Sequence, residues 1–242
     1  MIEMVVHCYA KKLPHFASML CYQLSSLILD PPHTDVMVTV CTTPDDQKTL
    51  KVIDWFGCLF LSRPPQFRPQ VRALLLDLPQ LGRRAIGRNM AAKTSYADIV
   101  WFADVDQVYR DGILDRLNEM IWPKGVAMVF PRTILISASH AIGKIQTDRL
   151  ANGPELIDID PTEFIPKTYF RAIGGVQIVR GDTARKIGYL DEHKKYQVPC
   201  SGGPFTDFRD DIGYRKACHV LGSITAIDLP GMYRLRHMET TH

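Results

Sequence analysis

Several common protein classes are excluded by what this sequence does not contain. No two of its six cysteines, at positions 8, 21, 41, 58, 200 and 218, form a Cys-x-x-Cys pair, so the chain lacks the ligand spacing of a structural zinc site. Cys8 and Cys41 fall in apolar, strand-like runs, and the set reads as reduced core thiols suited to a cytoplasmic or otherwise reducing compartment. No run of about 18 apolar residues occurs, which argues against a membrane span. The opening MIEMVVHCYAKK carries an acid early and passes straight into a strand-like run, unlike a secretory signal. Repeats and low-complexity tracts are absent too. The charge excess is only +3, too small by itself to point to nucleic acid and compatible with a small anionic substrate. Six arginines cluster at 63, 68, 72, 83, 84 and 88, but Phe67 is the one aromatic among them. Surfaces for single-stranded nucleic acid interleave such rings, so most of these arginines read as a solvated face.

What is present suffices for one well-packed domain. With 242 residues, 46% hydrophobic and 23% charged, the chain can bury a core without staples. Stretches 4–9, 35–41, 58–62, 98–102, 125–130, 174–180 and 223–228 read as strands. Stretches 16–29, 47–56, 83–95, 111–120, 182–187 and 208–221 read as helices. The first helix carries Phe16, Met19, Leu20, Leu24, Leu27 and Ile28 at helical spacing, and Asp30-Pro31-Pro32 ends it because proline cannot continue a helix. Residues 63–69 form a proline-broken loop, and 133–167 read as a long irregular excursion over the site. This alternation predicts an α/β fold with a mostly parallel central sheet flanked by helices.

The sharpest local feature is DIVWFADVDQVY, residues 98–109. A strongly apolar run ends in two carboxylates one residue apart. In an extended chain such residues point to the same side, so Asp104 and Asp106 can offer oxygens to one hard cation, Mg²⁺ or Mn²⁺. Ligand sites in open α/β sheets lie at the carboxyl ends of strands, where this pair falls. A solvated turn or a helix cap is the plainer reading of the same two residues.

The context of that pair, GRRAIGRNMAAKTSYADIVWFADVDQVY, resembles a segment of GT-A glycosyltransferases, especially glycosyltransferase family 2 and its relatives. In those enzymes an Arg-Asn helix precedes an apolar strand ending in Asp-x-Asp; here the positions are Arg88-Asn89 and Asp104-Val105-Asp106. Downstream, AIGGVQIVRGDTARKIGYLDE is similar to their Gly-Gly strand, short helix and Ile-Gly-x-x-Asp-Glu turn, with Gly174-Gly175, Arg180, Ile187-Gly188 and Asp191-Glu192. Then FRDDIGYRKACHVLG resembles the acidic helix start that carries the acceptor-side carboxylate. The three motifs occur in order over most of the chain. The resemblance implies a single Rossmann-like GT-A domain over 1–242, with 1–110 as the nucleotide-sugar half and 111–242 as the acceptor half. It also implies metal-dependent sugar transfer from a nucleotide-diphosphate donor to a hydroxyl of a glycan, lipid-linked or small-molecule acceptor, in glycan biosynthesis.

Site residues follow from both lines. Asp104, Val105 and Asp106 are expected around the metal-diphosphate, with Arg84 or Arg88 reaching the donor because a guanidinium suits phosphate geometry. Tyr9, at the end of the first strand, either stacks on the nucleobase or is a core tyrosine. His237 is a candidate third metal ligand or part of an exposed tail, and Arg234 or Arg236 can touch the diphosphate. Asp210 and Asp211, or even Asp207, are the candidate general bases; the adjoining pair also suits the positive end of a helix dipole, and Asp211 can simply pair with Arg215 four residues on. Gly174, Gly175, Gly203 and Asp207 are expected on the substrate side, since glycine lets a substrate approach closely. Two departures from the family pattern stand out. The turn after the second strand is Thr42-Thr43-Pro44-Asp45-Asp46 rather than a Gly-Ser-rich turn with one Asp, and the residue six before Arg215 is Arg209, not an acid. A nucleotidyltransferase and a non-catalytic sugar or nucleic-acid binding module are the competing classes. The first usually carries a glycine-rich phosphate loop after its first strand, whereas Tyr9-Ala10-Lys11-Lys12-Leu13-Pro14 has no glycine.

Overall fold

A computed structural model of the chain describes residues 1–65, 69–138, 153–200 and 209–236. Gly203, Asp207 and His237 lie outside the described residues. In chain order the elements are β1 (Ile2–His7), α1 (His15–Leu29), β2 (Val36–Thr42), α2 (Gln47–Leu61), β3 (Gln70–Leu75), α3 (Leu78–Gly82), α4 (Arg84–Thr94), β4 (Ile99–Ala103) and β5 (Gln107–Tyr109). They continue with α5 (Ile113–Glu119), β6 (Val126–Pro131), β7 (Thr133–Ser137), β8 (Phe164–Thr168), β9 (Val176–Arg180), α6 (Gly181–Ile187), α7 (Asp210–Leu221), β10 (Ser223–Ile227) and β11 (Met232–Arg234).

Seven strands form the main sheet in the order β10-β6-β9-β4-β1-β2-β3. Neighbours are parallel except at β9, which runs antiparallel to both β4 and β6. Every residue of β1 and β4 is buried, as expected for central strands covered on both faces. β1 carries two buried polar residues, Glu3 and, at its end, His7. Glu3 Oε1 accepts from Thr39 Oγ1 at 2.5 Å and Arg72 Nη2 at 2.8 Å, while Arg72 Nε donates to Thr39 Oγ1 at 2.9 Å. These bonds span β1, β2 and β3, satisfy the buried carboxylate and fix the register of the edge strand. A second sheet, β5-β11-β7-β8, flanks the first.

The expected architecture is present, with several differences in its elements. Residues 58–62 are not a strand: α2 runs through them to Leu61, because Thr49, Val52, Ile53, Phe56 and Phe60 keep a helical burial period across Gly57. The third strand is β3, further along. Part of the 133–167 excursion is ordered as the antiparallel pair β7 and β8, so its weak periodicity reflects an exposed outer strand, since four of the five residues of β8 are exposed. Asp46 caps α2 and also accepts from Ala10 N at 2.7 Å, Thr49 Oγ1 at 2.6 Å and Thr49 N at 3.2 Å. It thereby ties the loop after β1 to the loop after β2. Among the described residues no helix is long and apolar enough to cross a membrane.

Close approaches in this packing demand glycine in particular places. At the first residue of α6, a Cβ on Gly181 would collide with the backbone carbonyl of Ala97, which cannot swing away as a side chain could. Gly181→Ala is therefore expected to cost about 1–3 kcal/mol, read as a lower urea midpoint with an unchanged slope.

Candidate active site

At the carboxyl end of β4 the chain turns sharply into β5, and Asp104-Val105-Asp106 forms that turn. The two carboxylates are consequently not equivalent, as they would be in an extended strand. Asp104 is 23% exposed and Asp106 only 3%. Each has its own cationic partner. Asp104 Oδ1 accepts from Arg84 Nη1 at 3.4 Å and Arg88 Nη2 at 3.3 Å, and Asp106 Oδ2 accepts from Arg234 Nε at 2.8 Å. Asp106, first among the influences on Arg234, raises the guanidinium's pKa above its ordinary value. Leu235 N also donates to the Asp106 carbonyl at 2.7 Å, so the segment around β11 locks this acid from behind.

The turn rests on a layer of buried amides. Gln23 Nε2, from α1, donates to the Asp104 carbonyl at 3.0 Å. Tyr109 Oη donates to Gln107 Oε1 at 3.0 Å, and Gln107 Nε2 donates to the Gly175 carbonyl at 2.5 Å. Trp101 Nε1 reaches the same carbonyl at 3.1 Å. Gly175 itself faces the acid: a Cβ there would press on Gln107 Nε2 and Asp104 Oδ2. One residue earlier, a Cβ on Gly174 would lie 3.6 Å from Asp211 Cβ and 3.9 Å from its Oδ2. The two glycines thus sit between the turn after β4 and the start of α7.

At that helix start Asp210 is buried and accepts from Asp211 N at 3.0 Å through Oδ1. Asp210 Oδ2 and Asp211 Oδ1 make no hydrogen bond among the described residues. Burial raises the Asp211 carboxyl above the usual carboxylate range; neighbouring Asp210 adds to this, while the Ile212 amide, Arg215 and Arg88 oppose it. Arg215 Nη1 donates to the Ala172 carbonyl at 2.6 Å.

Arg88, 1% exposed, holds the centre. Besides Asp104 it donates through Nη1 to Tyr189 Oη at 2.9 Å. Tyr189 Oη donates to Gln177 Oε1 at 2.8 Å, and Gln177 Nε2 donates to the Asp211 carbonyl at 2.9 Å. Asn89, next to Arg88, holds the turn that carries Tyr189: it accepts from Tyr189 N and donates to Asp191 Oδ1, both at 2.9 Å. His7, at the end of β1, is held well below the usual histidine pKa by burial, then by Arg88 and Arg84.

Of the predicted residues, Arg84, Arg88, Asp104, Val105, Asp106, Gly174, Gly175, Asp210 and Asp211 come together here. Tyr9 is 5% exposed and belongs to the hydrophobic core, in line with the core alternative. In the turn after β2, Asp46 is structural, whereas exposed Asp45 pairs with Lys11 at 2.5 Å. Among the described residues no group of three or more His, Cys, Asp or Glu side chains converges. Sequence reasoning passes over Gln23, Gln107, Gln177 and Tyr189. The one signal of the three glutamines is polarity inside otherwise apolar elements, and Tyr189, in the turn after α6, carries none.

No protein-family model matches the chain, and no curated protein matches it in sequence. Solved structures do match in shape. Staphylococcus aureus TarS 1-349 in complex with UDP-GlcNAc aligns over 98% of this chain with a TM-score of 0.55 and 16% identity. The Pyrobaculum calidifontis mannosyltransferase PcManGT, in complex with GDP-Man and Mn²⁺, aligns over 99% with a TM-score of 0.55 and 12% identity. A second TarS structure aligns over 97% with a TM-score of 0.58 and 15% identity. The chain has the GT-A fold. It spans 59% of TarS 1-349, 57% of PcManGT and 36% of the second TarS chain. On this GT-A fold the acidic turn stands at the carboxyl edge of the parallel strands β1 and β4, where open α/β sheets bind ligands.

Because only a hydrogen at Gly175 leaves room for the Asp104 carboxylate, Gly175→Ala should move Asp104 without unfolding the sheet. The atoms it meets are ends of side chains, so a loss of about 1 kcal/mol is expected. A crystal structure of the variant should show a changed Asp104 rotamer and a broken contact to Arg84 or Arg88.

Proposed function

We propose that this chain is a glycosyltransferase that moves a sugar from a nucleotide-diphosphate donor to a hydroxyl acceptor. The observation that carries the reading is the meeting, across Gly174-Gly175, of an acidic turn and a half-buried carboxylate of raised pKa. Residues 1–110 would hold the nucleotide sugar and 111–242 the acceptor. The UDP-GlcNAc and GDP-Man in the similar structures support a nucleotide-sugar donor, and glycan biosynthesis is the setting such a reaction serves.

Asp104 and Asp106 would hold Mn²⁺ or Mg²⁺. Their carboxylate oxygens are the hard donors that either ion prefers, and Asp104 keeps 23% of its side-chain surface open to solvent. When bound, such an ion neutralises charge on a leaving diphosphate. In this reading Arg84 and Arg234, the partly exposed guanidiniums of the turn, bind phosphate oxygens, while buried Arg88 keeps Asp104 in place. Asp211 is the base: it is more exposed than Asp210, and a raised pKa makes it a stronger proton acceptor. The acceptor oxygen bonds to the anomeric carbon as the bond from that carbon to the phosphate oxygen breaks. The hydroxyl proton passes to the Asp211 carboxylate, and the nucleoside diphosphate leaves.

Nucleoside diphosphate release from a panel of UDP- and GDP-sugars, with Mn²⁺ or Mg²⁺ and simple hydroxyl acceptors, tests the reading. No release from any donor by the folded protein would sink it. Asp106→Asn should weaken Mn²⁺-dependent donor binding in calorimetry by at least about tenfold; unchanged binding would refute the metal role.

Asp211→Asn is expected to lower transfer roughly 10²- to 10⁴-fold and yet leave the fold at least as stable near neutrality. A carboxyl whose folded pKa is raised binds its proton more tightly in the folded state, so it favours folding below that pKa and disfavours it as pH rises through it. Asparagine removes that cost. In the wild type, kcat/KM should rise with pH through the Asp211 pKa, above the ordinary carboxylate value, and the variant should lose that limb.

A further inference from the structure

We infer that Tyr189 and Gln177 are positioning residues that fix Asp211 relative to Asp104 through an unbroken run of hydrogen bonds from Arg88. The inference rests on the reading of Asp211 as the acceptor-side base. Each link is short: 2.9 Å from Arg88 Nη1 to Tyr189 Oη, 2.8 Å from Tyr189 Oη to Gln177 Oε1, and 2.9 Å from Gln177 Nε2 to the Asp211 carbonyl. At its other end Arg88 Nη2 holds Asp104 Oδ1 at 3.3 Å. The run therefore joins α4, the turn after α6, β9 and the first turn of α7.

Packing alone does not call for these polar groups. The Tyr189 ring stacks on Tyr214 with centroids 4.1 Å apart and meets Phe102 edge-on at 4.7 Å. A phenylalanine ring would keep both contacts, so the hydroxyl is an addition to the packing. Gln177 is fully buried in a strand whose neighbours Val176, Ile178 and Val179 are apolar. Burying an amide costs free energy unless it is bonded, and an apolar residue of the same shape is often no less stable. What the amide adds is direction. It holds the peptide group of Asp211, the residue whose carboxylate lies beside Gly174. Displacing a reacting group by about 1 Å can cost roughly 10²-fold in rate.

The test is Tyr189→Phe and Gln177→Met, singly and together. With nucleoside diphosphate release as the readout, each single change should lower kcat about 10- to 100-fold, with donor Kd in Mn²⁺ altered less than about threefold. The double variant should be no slower than the worse single one, because both cut the same run. Equal kcat in wild type and Tyr189→Phe, or multiplied losses in the double variant, would overturn the inference. A second measurement needs no turnover. Gly213 N donates to the Arg209 carbonyl at 3.1 Å, and its hydrogen exchange reports on the first turn of α7. In Tyr189→Phe, exchange over 213–215 should quicken about tenfold while β4 stays protected; unchanged exchange counts against the inference. If no donor is turned over by the wild type, the transferase reading fails, and the exchange result still decides whether the run fixes the helix start.

Discussion

A guanidinium enclosed by protein must find an anion and several acceptors, or the fold cannot hold it. Arg88 meets that demand with groups from separate parts of the chain: the Asp104 carboxylate, the Ala103 carbonyl and the Tyr189 hydroxyl. The strand β4, the turn after it and the loop after α6 are therefore arranged around one cation. Gly87 shows how closely α4 must lie for this. A Cβ there would stand 2.7 Å from His7 Nε2 and 2.8 Å from Cys41 Sγ, inside contact distance of the ends of β1 and β2. The histidine so approached is held neutral by its burial and by the arginines beside it, which avoids a third positive charge at the same point.

Around that cation the charges at the turn are nearly balanced. Arg84, Arg88 and Arg234 face Asp104 and Asp106, and two further acids stand at the start of α7. Pairing of this kind offsets the mutual repulsion of two acids set close together. The pairs are not of one kind, however. Arg88 is enclosed, whereas Arg84 and Arg234 keep 21% and 32% of their side-chain surface. Arg84 and Asp104 are both partly open to solvent, so their pair contributes little to stability and Arg84 can turn to a phosphate oxygen at small cost, whereas the acid that Arg234 pairs with is buried. Enclosed Arg88 has no such freedom.

The sequence shows the frame of this site more readily than its supports. Strongly patterned segments such as DIVWF, the helix of residues 16–29 and the Gly-Gly strand appear where periodicity and apolar runs put them. The expected strand at 58–62 is instead the last turn of α2. A short apolar run does not distinguish strand from helix end, and the burial period of α2 continues past Phe56, the expected end of the helix. β5 and β11 are three residues each and carry too little pattern to read. The supports escape notice for another reason. Gln23, Gln107 and Gln177 each look like polar substitutions in apolar elements, and their partners lie 34 to 81 residues away. Only the folded chain shows that each amide ends on a carbonyl of the site.

The paired glycines show why such a site is sensitive to changes that look small. Gly175 does two things at once: its carbonyl gathers Trp101 and Gln107, and its missing side chain makes room for the Asp104 carboxylate itself. Gly174 leaves ordinary contact distance to Asp211. Because β9 is antiparallel between β4 and β6, its amino end lies at the same edge as the carboxyl ends of the parallel strands. That reversal is what lets Gly174-Gly175, which lead into β9, arrive beside the turn after β4. With β9 parallel to its neighbours, the two glycines would enter at the opposite edge, and the acidic turn and the acidic helix start would have no common floor.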